Sequence, residues 1–188
     1  MNGRGRRLLA LLGLLFLAGG SVRAAEGEDG GRRLSLAITA SLRRPFSATT
    51  RDRFGDTWFG IGADLFTRQR PTKWRFSADL DIQSNDDVGK VTLIPLTFGG
   101  ARALSEKTKA GWQPYVTLRA GPYYGKVEGD RLPIEDETLG FNANVSLGVV
   151  YRERYSLSLR YDYFSRFART RFDSLSLSAA VRVLDVKL

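Results

Sequence analysis

Apolar and polar side chains alternate along most of the chain with a repeat of two residues. The clearest case is the stretch 74–83, WRFSADLDIQ, in which every apolar residue is followed by a polar one. Residues two apart lie on the same face of a β-strand, so the pattern predicts a strand with one apolar and one polar face. No helical stripe is predicted after residue 25. The predicted strands are 33–43, 57–67, 74–83, 91–103, 114–124, 138–151, 155–164 and 172–182.

The fourth predicted strand is the least regular of the eight. Ile94, Leu96 and Phe98 share a face, but Pro95 lacks an amide donor and fits a central paired position poorly. The pair Gly99–Gly100 predicts a bulge or a change of register. Elsewhere, short turns tend to alternate with longer loops, which is typical of bacterial outer-membrane barrels with an even number of strands.

The N-terminus has the pattern of a secretory signal peptide over residues 1–24. Three arginines precede the apolar run Leu8–Ala18, and Val22-Arg23-Ala24 supplies small residues for cleavage after Ala24. The apolar run is too short for a membrane helix, which needs about 20 residues. Residues 25–188 are then predicted to form one domain.

Composition helps to decide which face of the sheet points inward. The chain has no cysteine, so no disulfide stabilises it, and its net charge is +9. Lysine and glutamate avoid the strand centres, and the polar face is built from small residues, aspartate and arginine, which suit a narrow interior. The sequence therefore predicts an all-β, eight-stranded antiparallel up-and-down transmembrane β-barrel. Its lumen is predicted to be polar and filled by side chains.

Aromatic residues lie near the predicted strand ends, where a transmembrane barrel carries its interfacial girdles. Ordinary core aromatics of a soluble sandwich are the alternative interpretation. The predicted girdle residues are Trp58, Trp74, Trp112, Tyr115, Tyr123, Tyr124, Tyr151, Tyr155, Tyr163 and Phe164.

With these patterns the chain resembles the small outer-membrane barrels of Gram-negative bacteria, of the OmpA/OmpX/OmpW type. The resemblance rests on the stretches 114–124 (PYVTLRAGPYY), 139–151 (LGFNANVSLGVVY) and 155–163 (YSLSLRYDY). It implies a location in the cell outer membrane and insertion by the outer-membrane assembly machinery. The family usually ends in phenylalanine, whereas this chain ends in Val186-Lys187-Leu188.

Residue types limit the chemistry that the chain can perform. With no histidine and no cysteine, it cannot build a Ser-His-Asp or Cys-His nucleophile or a histidine-bearing metal site. Barrel enzymes of similar architecture, such as lipid A deacylases, rely on histidine. Asp79 and Asp81 share a face and could in principle act as paired carboxylates, but a structural ion-pair network is favoured. Its predicted members are Asp64, Arg75, Asp79, Asp81, Arg119, Arg160 and Asp162.

Arginines cluster around the first and last long loops, and Arg43 belongs to the first group. If the barrel closes, strands one and eight are neighbours and the two clusters meet at one rim. Arginine binds phosphate through its forked donors, so lipopolysaccharide phosphates are candidate ligands; a merely solvated loop is the alternative. The candidate phosphate contacts are Arg44, Arg51, Arg53, Arg166, Arg169 and Arg171.

The sequence thus predicts a non-enzymatic integral outer-membrane barrel with a structural or surface-interaction role. Outer-membrane lipid and lipopolysaccharide are its expected partners, and it is expected to be a monomer with no cofactor, metal or nucleic acid. Two alternatives remain open: a narrow pore for ions or small solutes, and a soluble periplasmic lipocalin-like lipid carrier with the apolar face inward.

Overall fold

The computed structural model describes residues 33–67, 73–85, 89–128 and 136–187; the predicted signal peptide, 1–24, lies outside them. Eight strands and one short helix follow one another in the described chain. The helix, α1 (Ala48–Phe54), lies between the first two strands. The strands are β1 (Arg33–Pro45), β2 (Trp58–Thr67), β3 (Arg75–Asn85), β4 (Lys90–Ala103), β5 (Trp112–Glu128), β6 (Asp136–Tyr151), β7 (Tyr155–Phe164) and β8 (Ser174–Lys187).

Each strand pairs antiparallel with the next, and β8 pairs with β1, so the sheet closes into a barrel. This confirms the predicted eight-stranded up-and-down barrel. Closure leaves no strand edge with unpaired backbone groups, which is the condition for a sheet to cross hydrocarbon. The connections after β1, β3, β5 and β7 lie at one end of the barrel, here called the loop end. Those after β2, β4 and β6, with both termini of the sheet, lie at the opposite turn end.

The register shift predicted at Gly99–Gly100 is wrong. Strand β4 keeps one register against β3 and β5 across both glycines. Glycine is needed at position 99 because the neighbouring backbone comes close: a Cβ there would lie 2.0 Å from the carbonyl oxygen of Leu118. A shift occurs instead between Leu36 and Ala37, where β1 pairs with β8.

Helix α1 corrects the prediction that no helix follows residue 25. Ser47 caps its first turn by accepting a hydrogen bond from the Thr50 amide at 3.3 Å. Gly55 ends it at φ 85°, donating its amide to the Arg51 carbonyl at 2.7 Å. Seven residues are too few to show a stripe of period 3.6. None of the helices within the described ranges is long and apolar enough to span a membrane.

Outward side chains of the barrel are mostly apolar, and the middle of the lumen is polar. Phe59 is 69% exposed and Leu139 is 75% exposed on the outer face, whereas Asp162 is fully buried inside. This arrangement confirms the predicted direction of the two faces. It does not fit the lipocalin-like alternative, which requires the apolar face to line the interior.

Strands β5 and β6 extend further toward the loop end than predicted. Lys126 pairs with Glu128 on the same strand, and Lys90 of β4 reaches the same carboxylate at 3.6 Å. These partly exposed ion pairs mark where the outer surface changes from apolar to charged.

Candidate functional site

A network of ion pairs fills the middle of the lumen. Arg160 Nη1 lies 2.6 Å from Asp79 Oδ2, and Arg160 Nη2 lies 2.8 Å from Asp162 Oδ1. Arg119 Nη1 lies 2.8 Å from Asp64 Oδ1 and 3.4 Å from Asp79 Oδ1. Asp79 therefore links two arginines that come from β5 and β7. Forked guanidinium groups suit this arrangement because one arginine can bind two carboxylates at once.

Arg43 also belongs to the network, although its sequence position groups it with the first-loop arginines. Its Nη2 lies 3.3 Å from Asp81 Oδ2, its Nη1 lies 3.2 Å from Asp162 Oδ2, and its side chain is 1% exposed. The signal was present in the alternation, since Arg43 shares the inward face of β1 with Ser41. Arg75 was one of the expected members, but it forms no ion pair with any described carboxylate.

Uncharged side chains complete the hydrogen bonding of the network. Thr97 Oγ1 donates to Asp79 Oδ1 at 2.6 Å, and Asn144 Nδ2 donates to Thr97 Oγ1 at 3.2 Å. Arg119 Nε donates to Ser77 Oγ at 2.8 Å. Buried charges are costly unless they are paired and hydrogen-bonded, so these contacts make the charged lumen possible.

The same contacts argue against acid–base chemistry by Asp79 and Asp81. Asp79 is held by Arg160 and Arg119, and Asp81 by Arg43, so each carboxylate faces a guanidinium rather than open space. Within the described residues, no cluster of three or more acidic, histidine or cysteine side chains could hold a metal ion.

An apolar cluster, here called the aromatic layer, closes the lumen above the ion pairs at the loop end. Trp58 Nε1 donates to the carbonyls of Phe54 and Gly55, both at 3.1 Å, and the Tyr123 hydroxyl donates to the Ser165 carbonyl at 2.7 Å. The polar atoms of these rings are therefore satisfied within the cluster. The layer consists of Phe54, Trp58, Val91, Leu93, Tyr123, Val127, Phe164, Phe167 and Phe172.

The aromatic layer corrects part of the predicted girdle. On each strand, the residues that alternate with the outward apolar ones point inward. This holds for aromatic side chains at those positions as much as for aspartate. Four predicted girdle residues are consequently buried in the lumen: Trp58, Tyr115, Tyr123 and Phe164. Four others are roughly half exposed on the outer face, as predicted: Trp74, Trp112, Tyr155 and Tyr163.

Two small cavities lie beneath the aromatic layer. One of about 30 Å³ lies toward the turn end beside Tyr115 and Arg182, and another of about 20 Å³ lies between Ser41 and Ser146. A buried water needs roughly 10–15 Å³ of such volume, so each cavity has room for one or two waters.

The first and last loops contact each other at the loop end. The Phe46 amide donates to the Asp173 carbonyl at 2.9 Å, and Thr50 Oγ1 donates to the Arg171 carbonyl at 2.6 Å. Phe54 also packs against Phe172, with ring centroids 5.9 Å apart. These contacts bring the two arginine clusters onto one side of the barrel mouth. We call this set the basic rim: Arg44, Arg51, Arg53, Arg166, Arg169 and Arg171.

Most of the basic rim is exposed. Arg51 is the exception, because its Nη1 donates to the carbonyls of Pro45 and Phe46 and its Nε lies 3.3 Å from Asp56 Oδ1. Arg44 points outward from β1, directly opposite in direction to its neighbour Arg43. The rim thus presents several guanidinium groups to solvent above the apolar outer face.

No protein-family model matches the sequence, and no curated protein matches it. Solved structures do match the fold. Neisserial surface protein A aligns with a TM-score of 0.58 and 17% identity, covering 85% of this chain and 98% of that chain. Ail of Yersinia pestis, in complex with the heparin analogue sucrose octasulfate, aligns at 0.51 and 13%, covering 82% and 100%. The outer membrane enzyme PagL aligns at 0.51 and 12%, covering 78% and 99%. The chain therefore has the fold of the small eight-stranded outer-membrane barrels.

Proposed function

We propose that the protein is a non-enzymatic integral β-barrel of the outer membrane with a structural or surface-interaction role. The observation that carries the proposal is the distribution of side chains, apolar on the outside and ion-paired in the middle of the lumen. A soluble barrel has no reason to expose a continuous apolar face, whereas a membrane barrel must do so. The fold shared with outer-membrane proteins supports the same location.

Fractionation tests the location. We expect the protein in the outer-membrane fraction, soluble only with detergent, and migrating differently on a gel before and after heating. Recovery from the soluble periplasmic fraction without detergent would overturn the proposal. The intact mass of the purified protein tests export, since cleavage after Ala24 leaves a chain that begins at Ala25.

The proposal includes a lumen that does not conduct. The ion-pair network and the aromatic layer occupy the lumen, two cavities beside the network are small, and eight strands give an interior that side chains can fill. Planar-bilayer recording of purified protein should give no reproducible openings. Ion-selective openings that depend on the protein would instead favour the narrow pore.

The fold itself is compatible with catalysis, because PagL is an outer membrane enzyme. This chain lacks histidine and cysteine, so it has neither an imidazole base nor a thiolate nucleophile. Incubation with radiolabelled lipopolysaccharide should therefore yield no new lipid species. Release of a labelled fatty acid or a shortened lipid would overturn the non-enzymatic assignment.

The surface role that we propose is binding of lipopolysaccharide phosphates by the basic rim. Exposed arginines near the level where the outer face becomes polar are suited to phosphates at the membrane surface. The neighbour Ail, which was crystallised with a polysulfated heparin analogue, is consistent with anion binding on this fold.

Charge removal tests the rim. Replacing Arg166, Arg169 and Arg171 together by glutamine should weaken lipopolysaccharide binding at least tenfold, and rising salt should weaken wild-type binding. Replacing Lys109, Arg152 and Arg154 together by glutamine removes three charges at the turn end and is the matched control. Equal binding by the rim variant and this control would contradict the role.

We also propose a monomer inserted by the outer-membrane assembly machinery. The closed sheet needs no partner to satisfy its strand edges. Light scattering in detergent should give the mass of one chain, and depletion of the assembly machinery should abolish the heat-modifiable species.

A further inference from the structure

A groove of about 450 Å³ lies at the loop end beside the outer face of β1, β8 and β7. The strand register builds its floor from two rows of outward side chains. Leu42 of β1 is opposite Leu177 of β8, which is opposite Leu159 of β7. One row closer to the loop end, Arg44 is opposite Leu175, which is opposite Tyr161. The groove is therefore apolar below and carries a cation at its upper margin.

Packing around the groove gives it a wall and an open side. Phe46 stands beside Tyr161, with ring centroids 5.8 Å apart, and both rings are exposed on the outer face. In the row below the leucines, Ala40 is opposite Ala179, and their small side chains do not block the groove on that side. A chain-like ligand can thus continue from the groove toward the middle of the apolar band.

Two arginines and two aspartates lie at the upper margin, and they differ in how they are paired. Arg44 forms no ion pair with a described residue. Arg51 is held at the groove by the Pro45 and Phe46 carbonyls, and it shares its charge with Asp56, whose side chain is 70% exposed. The nearby Asp173 carboxylate accepts the Phe164 amide at 3.1 Å. Arg44 and Arg51 thus equal Asp56 and Asp173 in number, and Arg44 is the arginine of this margin that no carboxylate of the described residues pairs with.

We infer that this groove is a lipid site for an acyl chain of a phosphorylated glycolipid of the lipid A type, with its phosphate on Arg44 and Arg51. This inference rests on the proposed function and assigns part of the basic rim to one lipid. The groove has the size of a small-molecule site. Lipid tails are as apolar as leucine, so the acyl chain contributes shape and packing, while selectivity comes from the phosphate.

Native mass spectrometry of the detergent-solubilised protein tests the site, with bis-phosphorylated and dephosphorylated lipid A as probes. We expect one tightly retained bis-phosphorylated lipid and at least tenfold weaker retention of the dephosphorylated form. Leu177→Trp fills the floor of the groove and should lower retention at least tenfold, as should Arg44→Gln. Leu118→Trp, on the outer face of β5, and Lys109→Gln should stay within twofold of wild type.

The variants separate the groove from the rim as a whole. If Leu177→Trp retains lipid A like wild type, and the bis-phosphorylated form is still retained more tightly than the dephosphorylated form, the groove is not the lipid site. The proposed phosphate binding by the basic rim then stands. If both forms of lipid A are retained equally, the phosphate role fails for the groove and the rim together. Displacement of the lipid by millimolar inorganic phosphate alone would show that the acyl chain contributes nothing and would overturn the groove. Each variant is first checked for heat-modifiable migration, and Leu42→Trp replaces Leu177→Trp if the latter does not fold.

Discussion

Arg160→Met is the sharpest perturbation of the lumen, because this arginine joins two buried carboxylates. Its side chain is 9% exposed, and it contacts Asp79 at 2.6 Å and Asp162 at 2.8 Å. Methionine keeps most of the volume and removes the charge. Breaking a buried ion pair by removing one partner typically costs about 3–5 kcal/mol of unfolding free energy, since a charge is left uncompensated.

The remaining contacts set the size of the effect. Without Arg160, Asp79 still has Arg119 at 3.4 Å, and Asp162 still has Arg43 at 3.2 Å. We therefore expect a loss near the lower limit, about 3 kcal/mol. Arg160→Lys keeps the charge but cannot fork between both aspartates. It should lose about 1.5 kcal/mol, the value of one hydrogen bond to a charged group.

Urea unfolding in lipid vesicles at pH 8 measures both losses, followed by tryptophan fluorescence and by heat-modifiable migration. Arg53→Met, on the exposed surface of α1, is the control and should change stability by less than about 0.5 kcal/mol. If Arg160→Met unfolds at the wild-type midpoint, the network does not stabilise the barrel and the reasoning from its distances is refuted.

Other predictions concern the outer face, the strand contacts and the aromatic layer. Leu118→Arg should cost about 2–4 kcal/mol in vesicle unfolding, whereas Leu104→Arg, in a turn, should cost less than about 1 kcal/mol; equal costs would contradict the assigned depth. Gly121→Ala should cost about 1–3 kcal/mol, because the added Cβ meets a backbone oxygen at 2.1 Å. Gly100→Ala meets a movable ring at 3.0 Å and should be milder, so the reverse order would count against the close strand approach. Trp58→Ala should cost about 3–5 kcal/mol by opening a cavity, and a loss below about 1 kcal/mol would show that the layer is loosely packed.

Alternation predicted the strands, and the composition of the polar face, which is poor in lysine and glutamate, predicted the direction of the two faces. The pattern placed β7 at 155–164, as in the structure, because its polar and apolar residues alternate without interruption. It also placed Asp79 and Arg160 on inward faces, so their proximity follows once the barrel closes. Pairing distances could not be predicted, because they depend on the stagger of strands that are far apart in sequence.

The errors have specific physical causes. The predicted girdle was assigned from nearness to strand ends. The alternation of inward and outward positions, which places Trp58 and Phe164 inside the barrel, was not applied to aromatic residues. Arg43 was grouped with the first-loop arginines from its nearness to that loop, although the same alternation places it on the inward face of β1. Phe172 was predicted to start the last strand, but it packs in the aromatic layer, and β8 begins at Ser174.

The aromatic layer joins segments from opposite ends of the chain. Trp58 and Phe54 come from the beginning of the barrel, while Phe167 and Phe172 come from the connection before the last strand. Their contact, with Trp58 and Phe172 rings 6.0 Å apart, can form only after β8 has reached β1. The fluorescence of Trp58 should therefore report the final closing step of folding, whereas the outward Trp74 and Trp112 should report the earlier arrival of the strands in lipid.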